Sequence, residues 1–137
     1  MNDCLFCRIA SGEIPSSTLY EDQDVRVILD INPASVGHAL ILPKDHAGSL
    51  LEYPSEKLGH VFEVAQKLGN AMKSRLHCDG INIIANCGQA AGQTVDHFHV
   101  HVIPRYEDKT KDSLVLESGT IPSVDTSEIV ALLQEEL

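Results

Sequence analysis

The sequence predicts an α+β fold built on an antiparallel sheet. Short apolar segments outnumber helical ones, and they do not alternate regularly with helices as the strands of a parallel sheet would. One long segment, by contrast, carries its apolar residues at helical spacing. The chain has 137 residues, of which 43% are apolar and 22% charged, so one ordinary globular domain over residues 1–137 is expected.

Five segments are expected to form the sheet. They are Thr18–Tyr20, Val25–Leu29, His38–Leu42, Ile81–Ala85 and His97–Ile103. Residues that favour turns separate them. The loop 30–37 joins the second and third segments, and its length predicts a hairpin. Pro43 and Pro104 are expected to end the third and fifth segments.

Three segments are expected to be helical. In Ser55–His77 the apolar residues recur at steps of three and four: Leu58, Val61, Phe62, Ala65, Leu68, Met72 and Leu76. A short helix is expected over Leu5–Ser11, and a closing helix after Thr126. The sequence therefore predicts one long helix and short helices near the two ends.

The charge balance excludes several classes of partner. The chain has 20 acidic and 10 basic side chains and a formal net charge of −10. Nucleic acid and anionic membrane surfaces both attract the opposite charge, so neither is an expected partner. A small anionic ligand remains possible, because local hydrogen-bond donors act at close range. No apolar run approaches the roughly 20 residues of a membrane span.

The cysteines and the first residues suggest a cytoplasmic protein. The start of the sequence has neither a basic nor an apolar signal region, so no signal peptide is expected. The four cysteines Cys4, Cys7, Cys78 and Cys87 are then expected to be reduced thiols.

Three histidines alternate with apolar residues in the fifth strand segment. Because strand side chains alternate between faces, His97, His99 and His101 are expected on one face. Phe98, Val100 and Val102 would then point into the core. This pattern fits three interpretations: polar residues with only a structural role, a catalytic metal site, or an imidazole nucleophile. Three ligands along one straight strand would converge poorly on a single ion.

This segment resembles the histidine triad motif, in which three histidines alternate with apolar residues. Residues 97–103 (HFHVHVI) fit it at every position. Further blocks resemble the Hint-like branch of this superfamily: residues 6–22, 29–33, 37–46, 86–88 and 92–94. The resemblance covers about residues 3–106, and residues 107–137 form an extension without a family signature. It implies the family's α+β fold, with a five-stranded antiparallel sheet.

The resemblance also assigns catalytic residues. His99 would be the nucleophile that attacks the α-phosphorus of a nucleotide conjugate, forming a nucleotidyl-histidine that water then hydrolyses. His101 would contact the phosphate and help to activate the leaving group. His38 matches a histidine beside the nucleophile, and Thr94 matches a hydroxyl residue that touches the phosphate.

The same resemblance implies a nucleotide site. Asp30 matches the acid that accepts the ribose hydroxyls, although an aspartate at a loop entry is also a common turn-forming residue. Gln93 and Asn86 match polar residues that line the phosphate site. The residues that resemble the apolar wall around the base are Leu5, Phe6, Ile9, Ile28 and Ile31. An apolar wall does not choose between adenine and guanine.

The pair Cys4 and Cys7 is by itself a weak signal, compatible with a redox site, a metal site or neither. A thioredoxin-like motif would follow a strand, yet only three residues precede Cys4. In zinc-bearing relatives the pair is completed by histidines that match His46 and His97. The resemblance therefore implies a structural Zn²⁺ held by two cysteines and two histidines.

The expected function is hydrolysis of purine nucleoside phosphoramidates or related nucleotide conjugates. A dinucleoside polyphosphate hydrolase, a nucleotide-binding sensor without catalysis and a metal-dependent hydrolase are the alternatives. Relatives are usually homodimers that use the long helix and a strand, so a homodimer is expected here.

Overall fold

The structure, a computed structural model, describes residues 3–137 and consists of one sheet with helices on both faces. The strands are β1 (Thr18–Glu21), β2 (Val25–Leu29), β3 (Ala39–Pro43), β4 (Gly80–Ile84) and β5 (Val100–Arg105). The helices are α1 (Leu5–Ala10), α2 (Ser55–Leu76) and α3 (Thr126–Gln134). Short 3-10 turns lie at Leu50–Glu52 and Gln89–Ala91.

The sheet is antiparallel throughout, in the order β1-β2-β3-β5-β4. β2 and β3 form the predicted hairpin, with Val25 opposite Pro43 and Leu29 opposite Ala39. β5 lies between β3 and β4, and His101 has a neighbour on each side, Leu40 and Ile84. The α+β prediction, with five antiparallel strands, one long helix and short helices near the ends, is confirmed.

The fifth strand begins later than predicted. His97 and His99 precede β5, because the His97 N–H donates to the Val95 carbonyl 2.9 Å away and the chain bends there. Pro104 also lies inside β5 rather than ending it. β3 pairs only with residues 100–102, so at Pro104 only β4 pairs with β5.

The core has two layers because alternate strand residues face opposite sides of the sheet. Val25, Val27 and Ile41 face α2, together with Phe98, Val100 and Val102, as the alternation predicted. Ile28, Leu40 and Leu42 face α1 and pack with Phe6 and Ala10. The triad histidines share this second side, where α1 covers part of the sheet.

The long helix follows the prediction to within one residue. Its apolar residues Val61, Val64, Ala65 and Met72 are buried on the sheet. It ends at Leu76, because His77 adopts a left-handed conformation with φ of 55°. Phe62 and Leu76 were expected on the buried face, yet they are 39% and 38% exposed.

The C-terminal arm, residues 115–137, leaves the sheet after a well-anchored turn. The Arg105 guanidinium binds the Asp112 carboxylate at 2.8 Å and the Leu114 carbonyl at 2.9 Å. Every residue from 115 onward is exposed, including all of α3. Within residues 3–137, no helix is long and apolar enough to cross a membrane.

Candidate active site and metal-ligand cluster

Two cysteines and two histidines from three parts of the chain meet beside α1. Cys4 precedes the first residue of α1 and its sulfur accepts the Cys7 N–H, so both sulfurs lie on one side of this first turn. Cys7 Sγ lies 3.2 Å from His46 Nδ1 and 3.4 Å from His97 Nδ1, and Cys4 Sγ lies 3.4 Å from His97 Nδ1. All four donor atoms lie within 4.8 Å of one another, so this set could hold a metal ion.

His97 is held so that its ligand nitrogen faces this cluster. Its Nε2 lies 2.8 Å from the Pro43 carbonyl oxygen, which can only accept, so Nε2 carries the proton. Nδ1 is then left with its lone pair toward the two sulfurs. Burial lowers the pKa of His97, which favours the neutral ring that a metal ligand requires. A backbone carbonyl that fixes a ligand histidine in this way is typical of metal sites.

His99 lies next to this cluster and is anchored by the backbone of His97. Its Nδ1 donates to the His97 carbonyl oxygen at 2.7 Å. In the neutral ring, Nε2 therefore carries the lone pair. The edge of the Phe6 ring packs on His99 with centroids 4.9 Å apart, and only 7% of His99 is exposed. These contacts fix one tautomer and one ring orientation.

His38 connects the loop before β3 to His101. The Ala34 N–H donates to His38 Nδ1 at 3.0 Å, which leaves the His38 proton on Nε2. That nitrogen lies 2.9 Å from Nδ1 of His101, so it donates and His101 accepts. His101 must then carry its own proton on Nε2. One backbone N–H thus determines the tautomers of two histidines, the buried His38 and the half-buried His101.

Burial keeps this histidine pair neutral. It lowers the pKa of His38, although the nearby Asp30 carboxylate opposes the shift. It lowers the pKa of His101 to about 4, with further lowering from the neighbouring His99 and His38. Near pH 7, His101 is therefore a neutral hydrogen-bond donor through Nε2.

Asp30 has the turn-forming role that its position at the loop entry suggested, and its second carboxylate oxygen faces a histidine. Its Oδ1 accepts the Asn32 N–H at 2.9 Å, as in an Asx turn. Its Oδ2 lies 3.6 Å from His38 Nε2. One carboxylate oxygen thus shapes the loop, and the other faces the histidine pair.

The loop before the histidine segment is tied down by Gln93. Its Oε1 accepts the Gly88 N–H at 2.8 Å, and its Nε2 donates to the Gly48 carbonyl at 2.6 Å. Asn86 donates weakly to the Gly92 carbonyl at 3.5 Å. Thr94 is exposed at the end of this loop. Gln93 therefore holds the loop in shape through the side chain that was predicted to line the phosphate site.

The predicted apolar wall has buried and exposed members. Phe6 and Ile28 are buried together and Ile9 packs against them. Leu5 is 50% exposed and Ile31 is 91% exposed. Ile31 therefore contributes little to any wall unless a ligand covers it.

The family is decided by the comparison with known domains. Residues 11–108 match the HIT domain. This chain belongs to the HIT family. A HIT-like protein of Methanocaldococcus jannaschii is 42% identical over 127 residues, covering 93% of this chain and 95% of its own. Adenosine 5'-monophosphoramidase of Saccharomyces cerevisiae is 42% identical over 107 residues, covering 78% of this chain and 65% of its own.

Solved structures of HIT proteins share the fold. A HIT family protein from Bacillus anthracis superimposes with a TM-score of 0.87 at 35% identity, covering 99% of this chain and 98% of its own. A Zn-bound histidine triad family protein from Mycobacterium smegmatis superimposes with a TM-score of 0.74 at 38% identity, covering 98% and 96%.

Several contributors to this HIT site were missed by sequence reasoning. The carbonyls of Pro43 and His97 and the N–H of Ala34 set the histidine tautomers, and backbone groups leave no signal in residue type. On the other face of the sheet, His60 Nε2 lies 2.7 Å from the Asp22 carboxylate. Its contact joins α2 to the turn after β1, a pairing that no local pattern indicates.

Proposed function

We propose that this HIT protein hydrolyses nucleotide conjugates at the α-phosphorus, with purine nucleoside phosphoramidates as its substrate class. The observation that carries the proposal is the orientation of His99. Its Nδ1–H is held by the His97 carbonyl, and Nε2 keeps a lone pair beside the neutral His101, with ring centroids 5.0 Å apart. The similarity to a monophosphoramidase supports the same substrate class.

The reaction would proceed in two displacements. His99 Nε2 attacks the α-phosphorus, the phosphorus–nitrogen bond breaks, and the departing nitrogen keeps the electron pair and takes up a proton. His101 Nε2–H donates a hydrogen bond to the phosphate or the leaving atom. Water then attacks the nucleotidyl-histidine, loses a proton, and releases the nucleoside monophosphate and neutral His99.

The remaining predicted residues have supporting roles in this proposal. Asp30 accepts the ribose hydroxyls through its carboxylate, and Phe6 and Ile28 contact the base. Thr94 and the loop shaped by Gln93 and Asn86 contact the phosphate. A purine nucleotide is thus the proposed ligand, in a cytoplasmic homodimer.

The metal proposed for the cluster of Cys4, Cys7, His46 and His97 is Zn²⁺. Tetrahedral zinc bonds of about 2.0–2.3 Å place ligand atoms about 3.3–3.8 Å apart. The closest donor pairs here lie 3.2–3.4 Å apart, and two thiolates with two imidazoles form a structural donor set. The ion would cross-link α1, the loop after β3 and the segment before β5. The Zn-bound relative supports this assignment.

The test measures release of nucleoside monophosphate from adenosine phosphoramidate and from a diadenosine polyphosphate. We expect release from the phosphoramidate and a fall in turnover of at least about 1,000-fold in His99→Ala. The control His77→Asn removes an exposed imidazole just after α2 and should change turnover little. Near-normal turnover by folded His99→Ala would overturn the nucleophile. Faster cleavage of the diadenosine polyphosphate would indicate a dinucleoside polyphosphate hydrolase instead. No release of nucleoside monophosphate from either substrate would favour a nucleotide-binding sensor.

Activity measured with and without a chelator distinguishes this mechanism from that of a metal-dependent hydrolase. Activity that survives chelation of a still-folded protein agrees with a structural ion. Activity that disappears while the fold persists would instead indicate a catalytic metal.

A further inference from the structure

An open apolar groove lies on the face of the sheet opposite the histidines. It has a volume of about 660 Å³ and runs between α2 and the β1–β2 edge. Its lining includes Leu19, Leu29, Val36, Leu68, Met72 and Leu76. Leu19, Val36 and Leu76 are 49%, 51% and 38% exposed. An exposed apolar surface of this kind usually marks an interaction site.

The C-terminal arm carries apolar residues that nothing in the described chain covers. Ile129, Val130 and Leu133 lie on one side of α3 and are 46%, 52% and 59% exposed. Val115, Ile121 and Val124, before the helix, are more than half exposed as well. α3 has nine residues, fewer than the roughly 12 that an isolated helix needs in water. The helix therefore requires a surface on which to pack.

We propose that α3 of one copy packs in the groove of a second copy, and that the exchange is reciprocal. The arm does not return to its own body: every residue from 115 to 137 is exposed. It nevertheless starts close to the groove, because Ser113 pairs with Ala34 and Val36 pairs with Lys111. Residues 115–125 can span up to about 36 Å, which is enough to reach a neighbouring copy.

Charge supports the same pairing. Residues 115–137 contain the five acidic residues Glu117, Asp125, Glu128, Glu135 and Glu136 and no lysine or arginine. Lys67 and Arg75 lie at the groove, and its acidic member Glu63 forms an ion pair with Lys67 at 3.4 Å. These three side chains leave one net positive charge beside an apolar floor, which suits an amphipathic helix with acidic flanks better than a basic one.

Twofold symmetry limits the exchange of α3 helices to two copies. In a twofold pair each copy gives one helix and receives one, so both apolar surfaces are covered and no edge remains for further growth. The Bacillus anthracis structure aligns with 99% of this chain, which includes the arm, whereas the HIT domain match ends at residue 108. The arm is thus an addition to the family core that at least one solved relative shares.

Disulfide trapping tests the contact directly. Two differently tagged proteins are mixed, one with Leu133→Cys in the arm and the other with Ala71→Cys in the groove, both with Cys78→Ala and Cys87→Ala. Cys4 and Cys7 are retained. The matched control for the arm is Ala131→Cys, on the opposite side of α3. A single chain with both Leu133→Cys and Ala71→Cys is oxidised in parallel at high dilution.

We expect a covalent pair of the two tagged proteins, formed at least tenfold faster with Leu133→Cys than with Ala131→Cys. Efficient closure within the single doubly substituted chain at high dilution would overturn the proposal in favour of the chain's own groove. Equal rates for the two arm positions, or no cross-link with Leu133→Cys, would overturn it as well. The measurement reports the contact itself, so a dimer formed through another surface does not change the interpretation.

Discussion

His38 Nε2 lies 2.9 Å from His101 Nδ1, and this hydrogen bond fixes which nitrogen of His101 carries a proton. The Ala34 N–H occupies the other nitrogen of His38, so the direction of donation follows. His101 then carries its proton on Nε2, and its ring lies beside that of His99, with centroids 5.0 Å apart. We therefore expect His38 to be a positioning residue that acts through His101.

Replacing His38 should lower turnover more than it weakens binding. His38→Ala removes the donor, so His101 can adopt either tautomer, and we expect kcat to fall roughly 100-fold with a smaller change in KM. His38→Gln restores an N–H near the position of Nε2 and should recover part of the loss. Steady-state kinetics with adenosine phosphoramidate would measure both values. Equal activity in the Ala and Gln variants would contradict the role of the hydrogen bond.

Stability should fall as the pH drops from about 6.5 to about 4. Burial lowers the pKa of His101 to about 4, while an unfolded histidine titrates near 6.5. Between these values the unfolded chain binds a proton that the folded chain does not, so unfolding is favoured by up to about 1.4 kcal/mol per pH unit. The groups that face His101 are His99, His38 and Asp30, and of these only Asp30 favours protonation.

Urea unfolding between pH 4 and pH 7 would measure this slope. His101→Gln should flatten the curve relative to the unsubstituted protein, since it removes one half-buried group with a lowered pKa. The buried His38 and His97 leave a residual slope in both proteins, because their pKa values are lowered too. Parallel curves for the two proteins would contradict a lowered pKa of His101 in the folded protein.

The sequence predicted the elements of this fold well because its patterns are local. In α2, the spacing of apolar residues identifies the buried face of the helix. In β5, the alternation of Val100 and Val102 with histidines identifies the buried face of the strand. The predicted start of β5 was wrong. The bend at His97 depends on the hydrogen bond from its N–H to the Val95 carbonyl, and on the one from the Phe98 N–H to the carbonyl of Ala47, which is distant in sequence. Alternation of residue types continues through such a bend, so it cannot locate the end of a strand.

The site residues show a similar division. Cys4, Cys7, His46 and His97 do meet, as the resemblance implied, although they are far apart in sequence. The reach of Gln93 to the Gly48 carbonyl had no sequence signal, since it depends on how two loops lie together. Likewise, Ile31 is exposed because of the path of the loop between β2 and β3, and its apolar side chain gives no sign of this in the sequence.

Removing one cysteine of the metal-ligand cluster should release the metal and destabilise the fold. Cys7 is buried and its sulfur lies within 3.4 Å of both His46 and His97, so Cys7→Ser removes one of the two sulfur ligands of the proposed site. We expect about one equivalent of zinc to be lost and the free energy of unfolding to fall by roughly 4 kcal/mol. Elemental analysis and urea unfolding would measure these changes.

The matched control is Cys78→Ser, which makes the same chemical change at a thiol that packs against the core beneath α2. It should keep the full zinc content, and any loss of stability should be smaller. Because the proposed ion would hold His97, whose carbonyl anchors His99, the activity of Cys7→Ser should fall in parallel with its folded fraction. Full zinc content in Cys7→Ser, or equal loss of zinc in both variants, would contradict the assignment of Cys7 as a ligand.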